Sequence, residues 1–358
     1  MAMNVREFPG RGTALDIGSH TLRMHVAGRG IVASEPTALA RCRRTGRTLA
    51  IGAPALEMAG TRGDVELVRP VRAGVPSDSD DVETLVRRLL RAHHRAHYLA
   101  RPHMAVTAPS VQTPLQRRTI EEVAFRTGAR KVTVVPKPLA AAIGAGLDFD
   151  TDIVVVADIG AHVTDVGIVA FGGLVSSVTA PVGGAAFDHA IASWLRDERG
   201  LLIGDLVAET AKLAAAELEP RGRRRRRQAL VHGKDVRTGL PRGEVVTTPE
   251  LERAIQAPLQ AIIDVVQRGL AECPPDMAGD LVTSGLTLTG AGARLPGLDR
   301  RLRRETGVQC NVAGNAPDAA VEGAAALLAL PRSSVPHESG AREWGLLSMP
   351  RQLWPARS

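Results

Sequence analysis

Two aspartates in matching surroundings carry the first chemical signal in the sequence. Asp16 lies in Ala14-Leu15-Asp16-Ile17-Gly18-Ser19-His20, and Asp158 in Val156-Ala157-Asp158-Ile159-Gly160-Ala161-His162. Each follows an apolar run and precedes a second one, with glycines next at Gly28-Arg29-Gly30 and at Gly172-Gly173. Such a segment reads as a buried strand, an Asp-Ile-Gly turn, a second strand and a hairpin. Glycine lets backbone amides approach a phosphate closely, and a neighbouring carboxylate suits a hydrated Mg²⁺. One Asp-x-Gly is weak evidence. The same context repeated 142 positions later predicts two similar halves gripping one nucleotide, with Asp16 and Asp158 holding Mg²⁺ through water.

The elements that must position these hairpins alternate between strand and helix, which predicts an α/β architecture. Residues 82–100 read as an amphipathic helix with Leu85, Leu89, Ala92, Ala96 and Leu99 on one face. A strand at 104–107, a helix at 114–127, a strand at 132–135 and an alanine-rich helix at 138–146 follow. After the second hairpin come helices at 186–199, 205–218 and 249–273, a strand at 286–288 and a last helix at 318–330. Residues 331–358 are rich in Pro, Ser and Arg and read as a flexible tail, in which Trp344 and Trp354 suggest a docking segment.

Composition narrows the class. The chain of 358 residues has room for two cores, and 44% apolar with 23% charged residues is the balance of a soluble globular protein. No apolar run approaches the roughly 20 residues that span a bilayer, and the first ten residues lack a signal-peptide core. Cys42, Cys273 and Cys310 are widely spaced, which argues against a disulfide framework or zinc site and fits a reducing cytosol. The charge is local. Without Arg221, Arg223, Arg224, Arg225, Arg226 and Arg227, Lys+Arg falls from 45 to 39 against 38 acidic residues, and the net charge from +7 to +1. That run is either a solvated loop or a patch for an anionic membrane; scarce aromatics (3%) argue against nucleic acid.

Three further stretches, in order and in register, resemble the actin/Hsp70/hexokinase ATPase superfamily and, within it, the MreB-like bacterial actins. They are Pro138-Leu139-Ala140-Ala141-Ala142-Ile143-Gly144-Ala145-Gly146, Glu272-Cys273-Pro274-Pro275-Asp276-Met277-Ala278-Gly279-Asp280-Leu281, and Leu288-Thr289-Gly290-Ala291-Gly292-Ala293-Arg294-Leu295. The resemblance spans about residues 13–330. It implies an actin-like, ribonuclease H-like duplicated two-domain fold with a small subdomain inserted in each half. The large subdomains would be 11–31 with 76–144 and 145–183 with 249–330; the small ones would be 32–75 and 184–248.

The same resemblance assigns roles. Asp16, Gly18, Ser19 and Thr21 would form the first phosphate loop, Asp158, Gly160 and Thr164 the second, and Gly290 with Gly292 the turn over the adenosine. Glu209 and Lys212, at i and i+3, would frame adenine and ribose; by their residue types alone they read equally as a surface contact. His20 and His162 depart from the family's small loop residues, either crowding the phosphates or rimming a remodelled pocket. The sharpest departure is Lys137, where the family places the glutamate that polarises the attacking water. An ammonium offers only donors, so the expectation is ATP or ADP binding with weak or absent hydrolysis.

The resemblance further implies head-to-tail filaments at the inner face of the plasma membrane, with cell-wall synthesis proteins as partners and cell or spore shape as the outcome. Tyr98 and Leu99, flanked by Arg91, Arg95 and Arg101, are a second candidate membrane element, or else helix-end core. Rival readings are a nucleotide-independent actin-like scaffold, a kinase or phosphatase of the same fold, and an Hsp70-like chaperone. The chaperone is disfavoured because no substrate-binding domain follows residue 330.

Overall fold

The computed structural model describes residues 12–59, 63–93, 101–148, 153–215 and 228–329. The first sheet opens with β1 (Thr13–Ile17), β2 (Thr21–Val26) and β3 (Gly30–Pro36). A small insertion follows: β4 (Leu39–Cys42), β5 (Thr48–Ile51), α1 (Ala53–Ala59), β6 (Val65–Val68), β7 (Val71–Arg72) and β8 (Val75–Pro76). Then come α2 (Ser79–His93), β9 (His103–Ala108), α3 (Pro114–Arg126), β10 (Lys131–Pro136) and α4 (Lys137–Gly144). The second half starts with β11 (Val154–Ile159), β12 (Thr164–Ala170) and β13 (Gly173–Ala180). Its insertion holds α5 (Gly184–Arg199), β14 (Leu201–Leu202), α6 (Asp205–Ala215), β15 (Gln228–Asp235), β16 (Pro241–Thr247) and α7 (Thr248–Ala254). It closes with α8 (Gln256–Ala271), α9 (Ala278–Ser284), β17 (Leu286–Thr289), α10 (Leu298–Thr306), β18 (Cys310–Val312) and α11 (Ala319–Ala329).

The two large sheets have one plan. Their strand orders are β3-β2-β1-β9-β10 and β13-β12-β11-β17-β18. In each, an antiparallel hairpin precedes two parallel strands reached by crossovers. Each hairpin carries a register shift at one place, Met24/His25 in the first and Ile168/Val169 in the second. The first strand of each sheet, β1 and β11, is buried along its whole length, as expected where both faces are covered.

Helices α4 and α11 lie between the sheets, and their side chains share one apolar cluster with Ala14, Ala105, Val154 and Val156. Their backbones touch at equivalent glycines. Pro138 precedes Gly144 by six positions, and Pro317 precedes Gly323 by six. A Cβ on Gly144 would lie 1.9 Å from the Ala319 carbonyl oxygen, and one on Gly323 would lie 1.8 Å from that of Ala140. The contact is therefore reciprocal, and it joins the halves at the floor of the space between the sheets.

Some expectations need correcting. Helix 249–273 is two helices, because Pro258 has no N–H to donate to the Ala254 carbonyl; the chain turns at Ile255, and α8 starts one residue later. The first sheet extends through β3 to Pro36, so the first insertion starts after residue 36 and not at 32. Strand β18 and the β15–β16 ribbon carried no clear period in the sequence. Tyr98, Leu99, Arg221, Arg223 to Arg227, Trp344 and Trp354 lie outside the described residues. Among the described residues, no helix is long and apolar enough to cross a membrane.

Candidate functional site

Both Asp-Ile-Gly turns are closed by the same hydrogen bond. Gly18 N–H donates to the Thr21 carbonyl at 3.1 Å, and Gly160 N–H to the Val163 carbonyl at 2.8 Å. A Cβ on Gly18 would lie 2.6 Å from the Thr21 carbonyl oxygen, so the turn excludes a larger residue. The turns converge on one cavity of about 210 Å³, lined from the first half by Asp16, Gly18, Ser19, His20, Thr21 and Lys137. The second half contributes Asp158, Gly160, His162, Glu209, Lys212, Gly290 and Gly292 to the same cavity.

Each aspartate stands opposite a threonine on the parallel neighbour strand: Asp16 opposite Thr107 and Asp158 opposite Thr289. The Thr107 hydroxyl donates to Asp16 Oδ1 at 2.7 Å, and the Thr289 hydroxyl to Asp158 Oδ1 at 3.2 Å. Both threonines are buried. Sequence reasoning missed this pair; its signal was a threonine at or next to the last position of each crossover strand.

Lys137 opens α4 directly after β10, and its Nζ lies 2.8 Å from Asp16 Oδ1. Arg23 Nη1 lies 3.9 Å from Asp16 Oδ2, and Arg23 Nε donates to Asp318 Oδ1 at 2.9 Å. Burial opposes charge on both Asp16 and Lys137, yet their mutual attraction outweighs it: the carboxyl is held below the usual carboxylate range and the ammonium above the usual lysine range. Burial pushes the Asp158 carboxyl up, the nearby Asp16 charge adds to the rise, and Lys137 offsets only part of it. Asp165, facing Asp158 across the hairpin, is raised by burial to about 6 despite donors from Ser110 and Thr179.

The glycine turn after β17 presses on the second Asp-Ile-Gly turn. A Cβ on Gly290 would lie 2.4 Å from the Ile159 carbonyl oxygen, and Gly290 has φ +80. Lys212 and Glu209 both reach the cavity but do not act as a pair. Lys212 Nζ bridges the two oxygens of Asp188, at 2.8 and 3.0 Å, and donates to the Gly184 carbonyl at 3.2 Å. Glu209 Oε2 faces His20 Nε2 across the cleft at 3.8 Å. Burial and then Arg69 lower the pKa of His20 and of His162, which favours the neutral imidazole in both. Ser19 Oγ accepts the Gly74 N–H at 3.2 Å. Thr164 is a correction: its side chain is buried and donates to the Val182 carbonyl at 2.8 Å, which holds the second loop's base and leaves it off the cavity wall.

The expected hydrated Mg²⁺ does not fit this donor set. Thr107 and the Lys137 ammonium already meet Asp16 Oδ1, and Arg23 lies near Oδ2. At an effective dielectric near 20, unit charges 4 Å apart interact by about 4 kcal/mol; a divalent ion sharing Asp16 with that ammonium is opposed by more. Among the described residues, no three His, Cys, Asp or Glu side chains converge on a metal-sized site.

Two duplicated sheets, joined by a reciprocal helix contact and facing one cavity through paired Asp-Gly turns, define an actin-like fold. The chain belongs to the MreB/Mbl family, whose model, described as "MreB/Mbl protein", matches residues 11–334. It is 32% identical over 320 residues to the cell shape-determining protein Mbl of Bacillus subtilis, covering 89% of this chain and 96% of that one. It is 36% identical over 307 residues to the cell shape-determining protein MreB of Escherichia coli, covering 84% and 88%. The fold is similar to MreB5 of Spiroplasma citri bound to ADP (TM-score 0.81, 28% identity, 87% of this chain and 94% of that one). It is also similar to the chain of the MamK double helical filament (TM-score 0.73, 18% identity, 89% and 99%), a likeness of fold.

Proposed function

We propose that this chain is an MreB-like cytoskeletal protein that binds ATP or ADP with weak or absent hydrolysis. It polymerises head to tail on the inner face of the plasma membrane and guides cell-wall synthesis, and with it cell or spore shape. The observation that carries the nucleotide reading is the convergence of two equivalent Asp-Ile-Gly turns on one cavity. Solved structures of similar MreB5 proteins bound to ADP and to AMPPNP support it, as do the shape-determining relatives.

Weak hydrolysis follows from Lys137. A protonated, Asp16-bound ammonium cannot accept a proton from water, and loss of general-base help costs about 10² to 10⁴ in rate. A repeated patch meeting a different patch on the next copy gives an open filament. For the membrane, each arginine of the 221–227 run would contribute about 1 kcal/mol near an anionic surface.

The test is co-sedimentation of the full chain with anionic or neutral vesicles, with ATP, ADP or no nucleotide, while phosphate release is followed. Nucleotide-dependent pelleting on anionic vesicles with phosphate release about 10²-fold below that of a Glu-bearing relative is the expected result. Pelleting indifferent to nucleotide, with no nucleotide bound, would replace this reading with that of a scaffold.

A further inference from the structure

We propose that the Lys137 ammonium replaces the divalent cation in this cleft, so that the chain takes its nucleotide as the metal-free anion. The inference rests on the nucleotide reading above and concerns the ionic form of the ligand.

Asp16 and Asp158, facing the cavity from the two Asp-Ile-Gly turns, would repel a diphosphate or triphosphate unless a cation stood between. Here the chain supplies that cation itself. Lys137 Nζ sits 2.8 Å from Asp16 Oδ1, within the field of Asp158, and lines the same cavity. Arg23, 3.9 Å from Asp16 Oδ2, supplies a second positive charge and also lines the cavity. Lys137 and Arg23 thus stand beside Asp16, within reach of Asp158, before any ion enters. The Lys137 position is held by its place at the first residue of α4, and that helix is locked by the Gly144 and Gly323 contacts. An ammonium has three donors, and the bond to Asp16 uses one. Its side chain is 12% exposed, which leaves an opening toward the cavity.

The experiment is calorimetric titration of the full chain with ADP and with ATP, in excess EDTA and in excess MgCl₂. Wild type is expected to bind about tenfold or more tightly in EDTA than in excess MgCl₂, where the free anion is drawn into its magnesium complex. Lys137→Glu is expected to lose about tenfold or more in EDTA and to recover in MgCl₂, whereas Lys137→Arg keeps the wild-type pattern. Wild-type binding that requires Mg²⁺, or that is as tight in MgCl₂ as in EDTA, would overturn the proposal and leave the nucleotide reading standing. No binding in either buffer would overturn the nucleotide reading, and the proposal with it. A readout that needs no variant is the paramagnetic signal of Mn²⁺ added with ADP. The wild-type complex is expected to release Mn²⁺ from ADP and so leave more free Mn²⁺ than ADP alone does, and a level equal to or below that of ADP alone would contradict the substitution.

Discussion

The two halves share strand order, turn hydrogen bond and threonine support, yet they face the cleft with opposite charge. Across the first hairpin Asp16 pairs in register with Arg23; across the second, Asp158 pairs with Asp165. Lys137 bonds to the first aspartate. The first half therefore holds an ionised, satisfied carboxylate, and the second holds two carboxyls pushed up by burial, Asp158 further by Asp16 and Asp165 further by Asp158. A duplicated backbone fixes where side chains point, and the charges on that frame have diverged. Lys137 and Arg23 both come from the first half and lie against Asp16, which makes the cleft a polarised site despite its near two-fold plan.

The largest effect that would sharpen this contrast is at the aspartates. Asp16→Asn removes the partner of a buried ammonium and should cost about 3–5 kcal/mol, whereas Asp158→Asn should cost less than about 2 kcal/mol. Urea unfolding of the two variants measures the difference, and equal losses would erase the asymmetry. Next come the sites where the halves are alike. Gly144→Ala and Gly323→Ala each force a methyl into a backbone carbonyl and should each lose about 3 kcal/mol. A large loss in one alone would break the reciprocal contact.

A pH effect follows in size. The folded pKa of Asp165, about 6, lies above its ordinary 3.8. The folded state then binds the proton more tightly than the unfolded chain, so this group adds stability at low pH that is lost as pH rises from about 4 to about 6. The amount is up to about 3 kcal/mol at two units of difference. Asp165→Asn should flatten that slope, as read by unfolding at pH 4.5 and 7. The smallest expected contrast lies in the threonines. Thr107→Val should cost about 1.5–2 kcal/mol and Thr289→Val about 1 kcal/mol, because the first hydroxyl serves a full charge at shorter range.

Much of this was legible in the sequence because it is local. The Asp-Ile-Gly turns, the two hairpins and the alanine-rich α4 announce themselves within a dozen residues each. Lys137 stood out by its place beside Pro138, and the break before α8 was there to be read in Pro258. What escaped depends on parallel register. Thr107 meets Asp16 across 91 positions and Thr289 meets Asp158 across 131, and no pattern along the chain fixes those pairings. Asp188 was missed for the same reason: its claim on Lys212 arises where α5 packs against α6. The equivalence of Gly144 and Gly323 shows only when two helices from different halves are brought together.

The central claim is that both halves grip one adenine nucleotide. The most direct test is amide hydrogen exchange of the full chain with and without saturating ADP. Slowed exchange is expected at residues 16–23, 158–165 and 290–294 together, with the three segments titrating at one ADP concentration. Protection confined to one half, or no protection at any of the three, would contradict it.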